Sequence, residues 1–139
     1  MSTQTQNSAK ISHYLGVDFG LAKIGLAIAD SETKIAFAYK TLENNSEIFN
    51  NLKKIIAKEE INKLIVGKLN SGISQKYFNI EKIGEDFAKK LGVEVEYQEE
   101  MFSTKMAETL LKEKGAKKIK NLDDQEAARI ILQSWLDKK

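Results

Sequence analysis

From Tyr14 onward the chain alternates short apolar runs with stretches of helical period. Tyr14-Leu15-Gly16-Val17-Asp18-Phe19 reads as a strand, with Gly20-Leu21-Ala22-Lys23 as its turn. Ile24-Gly25-Leu26-Ala27-Ile28-Ala29 is a second strand, closed by Asp30-Ser31-Glu32. Residues 34 to 41 form a third, in which Ile35, Phe37 and Tyr39 alternate with shorter residues. Three short strands joined by tight turns predict an antiparallel meander. The period then changes. Ile48, Leu52, Ile55 and Ile56 recur at helical spacing behind Ser46, a good N-cap. Leu64-Ile65-Val66, ending in Gly67, has the unbroken apolar look of a strand buried on both faces. Ile80, Ile83, Phe87 and Leu91 mark a second amphipathic helix stopped by Gly92.

Val93-Glu94-Val95-Glu96-Tyr97 alternates strictly, as a strand does. Ser103 caps a third helix through Leu110 and Leu111 to Gly115. A last helix runs from about Asp123, with Ala127, Ala128, Ile131, Leu132, Trp135 and Leu136 on its apolar side. The order is βββαβαβαα. It predicts a single α/β domain: a five-stranded mixed sheet of a three-strand antiparallel meander and two parallel strands, flanked by helices. That domain covers residues 13–139. The polar stretch 1–12, rich in Ser, Thr, Gln and Asn, reads as a disordered N-terminal tail without the apolar core of a signal peptide.

Composition changes this picture little. The 139 residues are 42% hydrophobic and 30% charged, ordinary for a globular protein with its own core. No apolar run approaches the roughly 18 residues of a membrane span, so no membrane partner is expected. The absence of cysteine excludes disulfides and thiolate metal sites, and with the missing signal peptide it fits a cytoplasmic protein. A net charge of +2 demands no polyanionic partner. Arg129 is the sole arginine. Lys105, Lys112, Lys114, Lys117, Lys118 and Lys120 cluster, which suits a solvated face as well as phosphate contact.

The candidate chemistry lies in carboxylates. Asp18 ends the strand expected at the sheet's centre, and functional groups gather beyond strand ends in open α/β sheets. Glu99-Glu100 follows the Val93–Tyr97 strand, and Asp123-Asp124 opens the last helix. Taken singly, each has a bland account: a turn cap, a solvated loop, and acids favoured at a helix start. Taken together, two strand ends and one helix start each present a carboxylate. Oxygen-only ligands suit Mg²⁺ or Mn²⁺, and two such ions about 3.5–4 Å apart support phosphodiester cleavage. His13, the only histidine, stands at the tail boundary and is expected on the surface, so deprotonating water would fall to metal or carboxylate. Trp135, at helical spacing from Ile131, is expected in the core. Packing is also the better account of Tyr77 and Phe78 than base stacking.

These segments resemble the YqgF family of pre-16S rRNA nucleases, also described as Holliday-junction-resolvase-like, within the RNase H-like superfamily. Residues 15–27 are similar to its first-strand motif, with Asp18 at the acidic position. Ile65-Val66-Gly67-Lys68-Leu69-Asn70-Ser71-Gly72 looks like a shortened form of its strand-then-glycine loop. Glu99 to Ala107 resembles its "DER.TT..A" segment, and Asp124 to Gln133 its closing "D..AA..ILQ" helix. The resemblance implies an RNase H-like fold and a metal-dependent endonuclease acting on structured RNA, maturing the end of the 16S rRNA precursor in ribosome biogenesis. It implies catalytic and metal-binding roles for Asp18, Glu100 and Asp124 with Mg²⁺ or Mn²⁺. Nucleic-acid contacts would come from Lys23, Lys68, Asn70, Ser103, Thr104 and Lys105. The partner would be pre-16S rRNA or a ribosomal precursor particle, met by a monomer or weak homodimer.

The chain departs from the pattern at Met101, where the family has Arg, and at Glu99, Ser103 and Glu126. Met101 motivates an alternative, an RNA- or ribosome-binding module of the same fold without turnover. A DNA junction resolvase is a further alternative. A first-strand Asp-x-Gly also opens sugar-kinase and actin-like ATPases, but those need two such domains.

Overall fold

The computed structural model describes residues 10–20, 22–69, 80–100 and 124–139; at Lys68, Leu69, Glu100 and Asp124 only the backbone is described. The expected helix from Ser103 to Gly115, most of the tail, Met101, the lysine cluster, and Tyr77 and Phe78 lie outside these residues. The elements are β1 (His13–Phe19), β2 (Lys23–Asp30), β3 (Phe37–Glu43), α1 (Ile48–Lys58), β4 (Lys63–Leu69), α2 (Ile80–Leu91), β5 (Glu94–Glu100) and α3 (Asp124–Asp137).

The five strands form one sheet in the order β3-β2-β1-β4-β5. β1 pairs antiparallel with β2 and parallel with β4. β2 pairs antiparallel with β3, and β4 parallel with β5. The mixed sheet expected from the pattern is therefore present.

Strand side chains alternate between faces, so the sheet builds two cores. On one face Leu15, Val17, Ile24, Leu26, Leu64 and Val66 meet Leu52 and Ile55 of α1 and Phe87 of α2. On the other, Ala27, Ala29 and Ile65 meet Ala128, Ile131, Leu132, Trp135 and Leu136 of α3. Each fully buried Leu or Ile contributes about 1.5–3 kcal/mol. Gly92 ends α2 at φ 69°, with its N–H donating to Ala88 O at 2.9 Å.

Four boundaries depart from expectation. The third strand spans 37–43 instead of 34–41. The Gln133 side chain accepts from the Ala36 N–H at 2.9 Å and donates to Lys34 O at 3.1 Å, so this stretch bonds to α3 and not to the sheet. Ala36 is buried, whereas Ile35 and Phe37 are 51% and 58% exposed. Within the strand, Leu26 pairs with Lys40 but Ala27 with Ala38. Tyr39 is thus the extra residue of a β-bulge, which shifts the alternation. The first helix has no side-chain cap at Ser46; Asn45 Oδ1 accepts from the Glu47 N–H at 2.9 Å and shapes the approach. Gly67 does not end its strand, which continues to Leu69. Glu99 and Glu100 do not follow β5 but are its last two residues.

Candidate functional site

Strand register places the candidate acids. Asp18 pairs with Gly25, and Gly25 with Thr41. On the other side Val17 pairs with Val66, which sets Asp18 level with Gly67, and Gly67 pairs with Gln98. One row thus runs Thr41, Gly25, Asp18, Gly67, Gln98 across all five strands. Directly paired residues share a face. Asp18 therefore belongs to the α3 face and has a glycine on each side of it. Glu100 lies two residues beyond Gln98, so the strand period returns it to that face at the same end.

The packing of α3 locates the third acid. The ring of Trp135 meets Tyr14 edge-on at 4.8 Å between centroids. A Cβ on Gly16 would stand 2.8 Å from Leu132 Cβ and 3.0 Å from Ala128 O. Walking up β1 from Tyr14 through Gly16 to Asp18 is therefore walking toward the N-terminus of α3. Asp124 begins that helix, one turn beyond Ala128. The backbone brings Asp18, Glu100 and Asp124 to one end of one face. Those three are the residues that could hold a hard divalent cation, because they form an oxygen-only donor set. Among residues with described side chains, no three His, Cys, Asp or Glu groups form a metal cluster.

The turn beside Asp18 is braced. A Cβ on Gly20 would sit 2.6 Å from Lys23 O, so only glycine permits this reversal. Asn44 Nδ2 donates to Gly20 O at 2.8 Å, and the Asn44 N–H to Ala22 O at 2.9 Å. Lys23 follows the turn, exposed, at Asp18's end of the sheet. Lys68 sits in β4 one residue past Gly67. Asn70, Ser103, Thr104 and Lys105 lie outside the described residues. The sole arginine is engaged: Arg129 Nε donates to Glu126 Oε1 at 2.9 Å, and that bond holds its pKa above the ordinary value.

Two residues before Gln98, level with Gly16, the same face carries a polar anchor. Glu96 accepts from Lys63 Nζ at 2.6 Å and from Trp135 Nε1 at 2.9 Å. The bond from Lys63 holds the Glu96 carboxyl below the usual carboxylate range, against the opposing effect of burial. Trp135 is core, as expected, yet its N–H is also a structural donor. Sequence reasoning passed over Asn44, Thr41, Gln98, Gln133 and Glu96. Glu96 and Gln98 had one signal, the alternation of β5. The others work through partners distant in the chain and had none.

A mixed sheet that switches from antiparallel to parallel pairing at its central strand, with helices on both faces, is the RNase H-like architecture. Two solved structures share the fold. The fowlpox virus resolvase in complex with Holliday junction DNA matches at TM-score 0.55 and 15% identity, covering 91% of this chain and 97% of that one. RuvC of T. thermophilus in complex with a Holliday junction substrate matches at TM-score 0.53 and 14% identity, covering 91% and 94%. Residues 12–138 match the family model described as "RuvX: Holliday junction resolvase", and the chain belongs to that family. It is 32% identical over 130 residues to a "Putative pre-16S rRNA nuclease" of Maridesulfovibrio salexigens, covering 88% of this chain and 96% of the relative. A protein of the same description from Anaeromyxobacter sp. is 35% identical over 133 residues, covering 89% and 96%. The protein is accordingly a nuclease, a hydrolase of phosphodiester bonds. Among the described residues, no helix is long and apolar enough to cross a membrane.

Proposed function

We propose that the protein is a metal-dependent endonuclease of structured RNA that trims an end of the 16S rRNA precursor in the cytoplasm, as a monomer or weak homodimer. The observation that supports this reading is the strand register that sets Asp18 and Glu100 toward one end of the sheet, with Asp124 beginning the helix that covers that face. The description shared by its relatives supports the substrate. Asp18 on β1 and Glu100 on β5 are fixed by strand register, and Asp124 by the seating of α3. Together they would hold Mg²⁺ or Mn²⁺. The bound ion supplies charge neutralisation at the scissile phosphate and a more acidic water. Lys23, Lys68, Asn70, Ser103, Thr104 and Lys105 would contact backbone phosphates and position the strand, without reading sequence.

The test incubates purified protein with a 16S precursor fragment and either Mg²⁺ or Mn²⁺. Wild type should cleave, and Asp18→Asn should lose at least about 100-fold in rate, as enzymes do when a group acting on the transition state is removed. Equal cleavage by the two would defeat the assignment. The family description and the DNA junctions held by the two fold relatives favour a second substrate, so a four-way DNA junction belongs in the same assay. Preferential cleavage of the junction would replace RNA with DNA in this reading. Tight RNA binding without metal-stimulated cleavage would make the chain a binding module, in keeping with Met101 where the family motif has Arg.

A further inference from the structure

A set of positive charges gathers away from the carboxylates. Between the edge strand β3 and α1 lies an open groove of about 170 Å³. Leu42 and Ile55 supply its apolar lining, and Lys40, Lys54 and Lys58 its charges, with Asn51 beside them. Asn51, Lys54 and Lys58 recur at helical spacing, so they form one stripe of α1 along the groove. Among the described residues, no carboxylate lines the groove and none of the three lysines forms an ion pair. Glu59, which follows Lys58, accepts instead from Tyr39 Oη at 2.9 Å and lines a separate hollow with His13 and Asp30. Taken singly, two of the lysines have ordinary accounts. A lysine on an edge strand discourages strand pairing, and one in the last turn of a helix complements its dipole. Neither account brings three like charges to one hollow, where Lys54 and Lys58, four residues apart on a helix, repel each other. The groove is complementary to an anion that the chain does not itself supply.

We propose that this groove is a second nucleic-acid contact, in which Lys40, Lys54 and Lys58 hold backbone phosphates of the substrate to one side of the scissile bond. This rests on the proposed cleavage of nucleic acid at the Asp18 end of the sheet. The groove is within reach of that end. Thr41 stands two strand spacings, about 10 Å, from Asp18 across Gly25, and Lys40 and Leu42 flank Thr41 on the edge strand. Successive phosphates of a duplex strand advance about 3.4 Å, so about three nucleotides cover that distance. The donor set suits a polyanionic backbone better than a free phosphate. The groove is open and offers ammonium groups at separate points, without the arginine fork that clasps one phosphate bidentately. Contacts of this kind add affinity and fix register without reading bases.

The experiment compares full-length wild type with three triple variants. The first carries Lys40→Gln, Lys54→Gln and Lys58→Gln. The second carries Lys40→Arg, Lys54→Arg and Lys58→Arg, which keep the charge. The control carries Lys34→Gln, Lys89→Gln and Lys138→Gln, exposed lysines outside the groove. Binding of a 16S precursor fragment is measured by fluorescence anisotropy across a salt series without divalent ions, and cleavage is then followed with Mg²⁺. The first variant should bind about 10-fold more weakly, and its plot of log affinity against log salt should be shallower by about 1 or more. Its KM should rise with kcat kept, while the arginine variant and the control stay close to wild type. Its thermal midpoint should equal or exceed that of wild type, since no ion pair is lost and like charges are removed. Wild-type affinity and salt slope in the first variant overturn the proposal; if that variant still cleaves and Asp18→Asn does not, the cleavage site itself stands. Equal weakening in the control would mean a net-charge effect and also overturn it. Inorganic phosphate bound by wild type and lost in the first variant, with RNA binding unchanged, would make the groove a small-anion site and overturn the RNA contact. A wild type that binds no nucleic acid would remove the proposed function and this contact with it.

Discussion

Asp18 and Glu96 are both acidic residues on the α3 face of the sheet, and their surroundings differ. Asp18 sits near the end of its strand between two glycines. Glu96 sits level with Gly16, paired to Lys63 and to the Trp135 N–H. The Lys63 bond lowers the folded-state pKa of Glu96 below its unfolded value, and the same pair raises that of Lys63. The Glu96 contribution to stability is then fully present above the ordinary Glu range and is lost as pH falls through the lowered value. Lys63 contributes below the ordinary Lys range and loses its share as pH rises through the raised value. Glu96→Gln should therefore lower the thermal midpoint most near neutral pH and converge on wild type at acid pH, once the Glu96 carboxyl is protonated in the folded state as well. Melts across that range check this; a constant difference at every pH would show that the pair carries no charge-dependent stability. Asp18 was legible in the sequence because it breaks an apolar pattern. Glu96 was not, because an acid in an alternating strand looks the same whether solvated or paired with a lysine distant in the chain.

At the scale of elements, the seating of α3 on β1 decides where Asp124 stands. The contacts that a methyl on Gly16 would make are to Leu132 Cβ and the Ala128 carbonyl, which cannot swing aside as the tip of a long side chain can. Gly16→Ala should push the helix away as a body and cost about 1–3 kcal/mol, the usual range for overpacking a core. Urea unfolding measures that cost. The comparison is Leu52→Ala, which hollows the core on the opposite face and should destabilise by about 2–5 kcal/mol. If the helix seat governs the site, Gly16→Ala should reduce cleavage more than Leu52→Ala does, at a temperature where both remain folded. The reverse ranking would detach α3 packing from activity. The elements themselves were readable from period and turn chemistry. Their ends were less so: the run from Lys34 looked like strand until Gln133 took its backbone bonds, and the bulge at Tyr39 leaves no mark in the hydrophobic pattern.

For the molecule as a whole, the proposed site draws on β1, β5 and α3, and the helix that begins at Asp124 closes the second core. The order of strands and helices and the central place of β1 could be read along the chain, but not that α3 would lie over it. That arrangement follows from burial: the alanine and isoleucine face of β2 and β4 needs a cover, and α3 brings Ala128, Ile131, Leu132, Trp135 and Leu136 to it. A chain ending at residue 123 would lose Asp124, a ligand in the proposed metal site, and also expose Ala27, Ala29 and Ile65 to water. Burying side chains of the α3 kind is worth about 1.5–3 kcal/mol apiece, and a typical domain has only about 5–15 kcal/mol in hand. The truncated chain should therefore show no cooperative thermal transition and should aggregate through its bare sheet face. Adding back a synthetic peptide of residues 124–139 should restore a transition, and with it Mn²⁺ binding. A peptide carrying Asp124→Asn should restore the transition alone. Recovery of Mn²⁺ binding with the substituted peptide would separate the helix's structural work from any part in the metal site.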